Sequence, residues 1–171
     1  MTPPHTRETS RAYRFGAGAA SDDSRPLVAL DVDGVIVLDD EPVVPVTHQL
    51  VTAFGKWRRE VAIPDGAAEV IAMLSERCEL AWASAWSYNA HEALRSALSL
   101  PQQPWAFLPA QFDADAVADY AAGRRWAWIT ETGMASSIAT DGAGMIVGTD
   151  GRRGLPSVDL GALQEALGLT P

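Results

Sequence analysis

The stretch Leu27-Val28-Ala29-Leu30-Asp31-Val32-Asp33-Gly34-Val35 constrains this chain more than any other. Four apolar residues, two carboxylates two positions apart and a glycine read as a buried strand that delivers acids to its C-terminal edge. Side chains alternate along an extended backbone, so Asp31 and Asp33 share a face where one divalent cation or one phosphoryl group feels both charges. Gly34 lets the chain turn away sharply. Spacing alone is a weak signal: among thirteen aspartates in 171 residues, about one Asp-x-Asp pair arises by chance. A second pair does occur at Asp113 and Asp115. Context separates the two, because Asp113 and Asp115 open a polar, helix-like segment where acids suit the N-terminus, whereas Asp31 and Asp33 end a run of Leu, Val and Ala.

At 171 residues and 47% hydrophobic content the chain is long enough for one domain with a sizeable core. The net charge of −9 and the single lysine, Lys56, argue against a general nucleic-acid-binding face. A small, metal-bridged anion remains compatible with that charge. Cys78, the single cysteine, sits beside apolar positions and reads as a packing residue in a reducing compartment. No apolar stretch of signal-peptide or transmembrane type is visible, so the expectation is a cytoplasmic protein with no membrane partner. Residues 1 to about 25, rich in Pro, Thr, Arg, Ser and Gly, are expected to form a flexible tail, leaving 26–171 as a single domain.

Beyond the first strand, His48–Phe54 and Trp57–Ile63 flank Gly55-Lys56 and predict a β-hairpin flap within about residues 35–63. Apolar positions at helical spacing predict a helix over Ala67–Arg77. A buried strand at Glu79–Ala83 follows, ending in Ser84-Ala85-Trp86. Further helices are expected over Ala90–Leu98 and Ala114–Ala122, then a strand at Trp126–Ile129 ending in Thr130-Glu131, a short strand at Gly144–Gly148, and a closing helix over Asp159–Leu167. Alternating strands and helices call for an α/β fold, a parallel sheet covered by helices on both faces. Parallel strands end on one edge, so Asp31, Asp33, Ser84 and Glu131 are expected to converge although about a hundred residues separate the first from the last.

On these residues the chain resembles the haloacid dehalogenase (HAD) superfamily, a group dominated by phosphatases. Leu27–Val35 follows the family's first motif, hhhDxDGV. The resemblance implies a Rossmann-like three-layer sheet, with Asp31 as nucleophile and Mg²⁺ ligand and Asp33 as general acid/base. It further implies Ser84, with Ala85 beside it, as the phosphate-binding strand end, and Glu131 as a metal ligand alongside Asp31 and Asp33. Two departures stand out. The fourth motif normally has two acids where this chain has only Glu131, and the basic residue of the third motif, due near the helix after Asp113, is absent.

Each residue also has a plainer role: acids capping a turn for Asp31 and Asp33, a turn hydroxyl for Ser84, a helix-start acid for Glu131. His48 and His91 lack metal-ligand spacing and read as surface or core residues. The tryptophans at 82, 86, 105, 126 and 128 read as core, with Trp86 a candidate for the pocket mouth. The favoured expectation is a Mg²⁺-dependent hydrolase of a small phosphorylated molecule. A degenerate domain that binds ligand or partner without turnover is the alternative, and a phosphotransferase using the same residues is a third. Arg58, Arg59, Arg152 and Arg153 are the candidates to replace the missing basic residue. Substrate identity and oligomeric state are not encoded in any motif of the sequence.

Overall fold

The computed structural model describes residues 23–39, 41–53, 55–110, 113–136 and 143–169. In chain order, β1 (Leu27–Leu30) is followed by a hairpin of β2 (Val46–Ala53) and β3 (Trp57–Pro64), then α1 (Ala67–Arg77) and β4 (Glu79–Trp82). Next come α2 (Asn89–Leu98), α3 (Asp115–Ala121), β5 (Trp126–Glu131), the single turn α4 (Thr132–Ala135), β6 (Gly144–Thr149) and α5 (Leu160–Ala166). Strands β4-β1-β5-β6 form a parallel sheet in that order, and β2 and β3 pair antiparallel beside it.

The central position of β1 follows from its sequence. All four of its residues are fully buried, as an all-apolar strand covered on both faces requires. Its side chains alternate between two cores. Val28 and Leu30 join α1, α2 and α5 through Ile71, Leu74, Leu94 and Leu163, whereas Leu27 and Ala29 join α3 through Val117 and Ala121 together with Trp126 and Trp128. Helices therefore cover both faces of the sheet. In α1 the buried positions Ala67, Val70, Ile71 and Leu74 keep the i, i+3, i+4, i+7 spacing of one helical face. Asp159 caps α5 by accepting a hydrogen bond from the Ala162 amide at 3.0 Å.

The hairpin is more than a flap. Val51, Ala53, Val61 and Ile63 are buried within the first core, so its base belongs to the domain. Trp57, opposite Ala53, and Arg59, opposite Val51, lie on that same inward face but nearer the tip. Phe54, expected to end the first hairpin strand, lies outside the described residues, as do residues 1–22 of the expected tail. Residues 23–25 are tied to the body. The Arg25 guanidinium donates to the Ser75 carbonyl at 2.9 Å, and Arg124 donates to the Arg25 carbonyl at 2.9 Å. Arg25 is thus hydrogen-bonded to α1 and to the segment before β5.

At the sheet edge where the strands begin, Glu79 is buried and bonded on both carboxylate oxygens. Tyr120 Oη donates to Oε1 at 2.7 Å and Arg124 Nη1 to Oε2 at 2.8 Å. This clamp joins β4, α3 and the entry to β5. Cys78 is a buried free thiol whose pKa is pushed up by that burial, consistent with a packing role. Among the described residues no helix is long and apolar enough to cross a membrane.

His91 is a core residue. Its Nδ1 accepts hydrogen bonds from Trp82 Nε1 and the Trp105 amide, both at 3.3 Å, so Nε2 carries the proton and donates to the Pro101 carbonyl at 2.8 Å. Burial lowers its pKa from the ordinary 6.5, against the opposing pull of the Pro101 carbonyl and Glu92. Above 6.5 both folded and unfolded chains hold the ring neutral. Below it the unfolded chain takes up the proton first, so stability is lost as pH falls from about 6.5 toward the lower folded value. His91→Gln can accept and donate at the same places without titrating. Urea denaturation between pH 7.5 and 5.5 is expected to show a smaller loss of stability in that variant than in the parent; equal losses would exclude His91 as the source.

Candidate active site

The strand ends meet as the parallel sheet requires. Leu30 pairs with Trp82 of β4 and Ile129 of β5, which sets Asp31 level with Ala83 and Thr130. The strand itself stops at Leu30 and the chain enters a tight turn, with the Val35, Ile36 and Val37 amides all donating to the Val32 carbonyl. Past the strand Asp31 is half-buried, Val32 buried and Asp33 exposed, and both acids face one cleft. A cleft of about 510 Å³ opens there, lined by Asp31, Asp33, Ser84, Ala85 and Glu131, all five of the residues singled out in the sequence. That volume suits a small molecule.

Asp31 is held at both oxygens. Thr130 Oγ1 donates to Oδ2 at 2.8 Å and the Val32 amide to Oδ1 at 2.7 Å. Burial raises its pKa above the ordinary 3.8, while the bonds from Thr130, Val32 and Ser84 work in the opposite direction. Thr130 is itself positioned from behind, since Thr149 Oγ1 lies 3.3 Å from the Thr130 carbonyl and donates to the Gly34 carbonyl at 2.8 Å. Ser84 Oγ accepts the Trp86 amide at 3.2 Å. Trp128 Nε1 donates to the Ala83 carbonyl at 3.2 Å, which pins the end of β4 against β5. Asp33 Oδ2 accepts a hydrogen bond from Trp86 Nε1 at 3.1 Å.

Glycines make room for the acids. Gly34 has φ +77, and a Cβ there would stand 2.8 Å from Glu131 Cβ and Cγ, so Glu131 packs directly across the turn that follows Asp33. A Cβ on Gly151 would collide with Asp39 Oδ2 and come 3.4 Å from Glu131 Cγ. Asp39 and Glu131 therefore flank one small backbone gap. Asp39 also lines the cleft, which brings a second acid near Glu131 from the loop after β1 rather than from the segment after β5. No family model, curated protein or solved structure matches the chain.

Asp39, Thr130 and Thr149 were not singled out in the sequence. Thr130 carried a signal, a hydroxyl at the strand end adjoining Glu131. Asp39 carried none, because only the loop's path returns it to the cleft. The four arginines do not pair with Asp31: Arg59 lies over the Trp57 ring at 5.6 Å, Arg152 bonds the Glu41 carbonyl, Arg153 faces Asp150, and Arg58 is exposed. Among the described residues no basic side chain is within salt-bridge distance of Asp31, Asp33, Asp39 or Glu131.

The donor set is carboxylate and hydroxyl oxygen, the chemistry a hard cation requires. Among the described residues no three of His, Cys, Asp or Glu stand close enough together to hold a metal as a group. Mg²⁺ does not demand such a cage; it keeps several waters and takes one or two carboxylates with a substrate phosphate. Asp31 and the glycine-cradled Glu131 fit that pattern, and Asp33, tied to Trp86, adds charge beside them.

Proposed function

We propose that the cleft hydrolyses phosphomonoesters of small molecules, with Mg²⁺, through an aspartyl-phosphate on Asp31, in a Rossmann-like fold of the HAD type. One observation carries the reading: a half-buried aspartate at the end of the central strand, bonded at both oxygens, in a small-molecule cleft shared with Asp33, Ser84 and Glu131. Mg²⁺, held by Asp31 and Glu131 with Asp33 adding charge beside them, would offset the repulsion between carboxylates and a phosphate dianion.

The residues then have separable tasks. Asp31 attacks phosphorus with an oxygen whose direction is set by Thr130 and Val32. Asp33 protonates the leaving oxygen as the ester bond breaks, then accepts a proton from the water that hydrolyses the aspartyl-phosphate. Ser84 donates to a phosphoryl oxygen, with Ala85 next to it at the cleft wall. The lack of a basic side chain near these acids, among the described residues, favours slow turnover and steep metal dependence, and it is the observation behind a second reading, a domain that binds a phosphorylated ligand without turnover.

A panel of phosphomonoesters assayed with and without Mg²⁺ tests the choice. Phosphate release that requires Mg²⁺ and is lost in Asp33→Asn, by about 10²-fold or more, is the expected result. Binding of a phosphorylated ligand with no release from any ester would replace the enzyme reading with the second one.

A further inference from the structure

Asp33 is exposed, and among the described residues the only hydrogen bond to its carboxylate comes from the Trp86 indole. Trp86 is itself 4% exposed and fixed from several sides. Its amide donates to Ser84 Oγ, its carbonyl accepts from the Asn89 amide at 3.1 Å, and its ring meets the hairpin's Trp57 edge to face, with centroids 6.2 Å apart and planes at 81°. Trp57 lies near the hairpin tip, on the hairpin's inward face.

An indole N–H donates and never accepts. While it donates to Oδ2 of Asp33, the neutral acid favours its proton on Oδ1, because a carbonyl oxygen accepts better than a hydroxyl oxygen. An exposed aspartate has two equivalent oxygens and free rotation, and the indole removes both freedoms. We propose that Trp86 is the positioning residue for Asp33, assigning the transferable proton to Oδ1, and that the hairpin tip holds Trp86 in place through Trp57. This rests on the phosphatase reading above. In the first half-reaction the Oδ1 proton passes to the ester oxygen while the P–O bond breaks and the bond from Asp31 to phosphorus forms. In the second, water adds to phosphorus, its proton returns to Oδ1, and Asp31 leaves as carboxylate.

Trp86→Phe keeps the ring packing and deletes the donor. The effect must depend on how much the leaving group needs a proton. An alkyl phosphomonoester, whose alkoxide leaves poorly, is expected to lose about 10-fold or more in kcat, and p-nitrophenyl phosphate, whose phenolate leaves unaided, several-fold less. Trp57→Ala should discriminate in the same direction by a smaller factor. A folding defect would depress both substrates alike, so equal losses, or none, overturn the positioning role while leaving the phosphatase reading intact. If the parent hydrolyses neither ester with Mg²⁺, that reading fails and the proposal falls with it. The contact is also read without turnover: in the metal-free protein, the indole N–H resonance that Trp86→Phe removes is expected to shift in Asp33→Asn. An unmoved resonance would exclude the contact.

Discussion

Replacing Asp31 by asparagine is expected to lower Mg²⁺-dependent phosphate release by about 10³-fold or more, because a neutral amide is not a competent nucleophile and binds a hard cation far more weakly than a carboxylate does. The fold should survive. The amide oxygen can keep the bond from the Val32 amide, and the Thr130 hydroxyl can rotate to accept from the new NH₂ group. The metal-free variant should in fact melt higher than the parent at neutral pH. Burial raises the Asp31 pKa, so the folded chain disfavours the ionised form that the unfolded chain tolerates. Stability associated with this group is present below the ordinary 3.8 and is lost as pH rises through the higher folded value. The advantage of the variant should accordingly shrink as pH is lowered toward 3.8. Mg²⁺ should raise the melting temperature of the parent and not of the variant. Thermal melts at several pH values, with and without Mg²⁺, check each part. A variant that melts below the parent at pH 7 without metal would contradict the disfavoured charge on the half-buried carboxylate, and full activity would end the aspartyl-phosphate mechanism.

The second large effect lies at the opposite edge of the sheet. Arg124→Ala is expected to cost about 3–5 kcal/mol of unfolding free energy, because it withdraws the cation from a carboxylate that stays buried. The side chains of Arg124 and Glu79 are only 13% and 6% exposed, so water replaces the lost partner poorly. Arg124 also bonds the Arg25, Ala121 and Tyr120 carbonyls, which ties residues 23–25 and the end of α3 to the sheet. Since domains of this kind are stable by about 5–15 kcal/mol, the loss should be evident in urea denaturation. Adding Glu79→Gln to Arg124→Ala should recover part of it, since the uncompensated charge is then gone while Tyr120 can still donate to the amide oxygen. A cost under about 1 kcal/mol for Arg124→Ala would mean that this pair behaves like an exposed one.

The sequence by itself determined the elements and the edge on which chemistry could sit. An apolar run such as Leu27–Leu30 can satisfy its backbone and bury both faces only inside a sheet, and the helical spacing of Ala67, Val70, Ile71 and Leu74 admits one buried face. Parallel strands then bring Asp31, Ser84 and Glu131 to one edge irrespective of their separation along the chain. Polar contacts across elements were beyond its reach, because no periodicity links a side chain to a partner on another strand. Thr130 against Asp31, Trp86 against Asp33 and Arg124 against Glu79 each join residues 45 to 99 positions apart whose pairing depends on rotamers and packing. Asp39 reads as one of several acids in a loop until Gly151 and Glu131 close around it. Likewise the hairpin was legible from Gly55-Lys56, but its burial was decided by the partners of Val51, Ala53, Val61 and Ile63 in the core. Local pattern reports which residues must leave water; only the assembled fold decides which polar atoms they meet when they do.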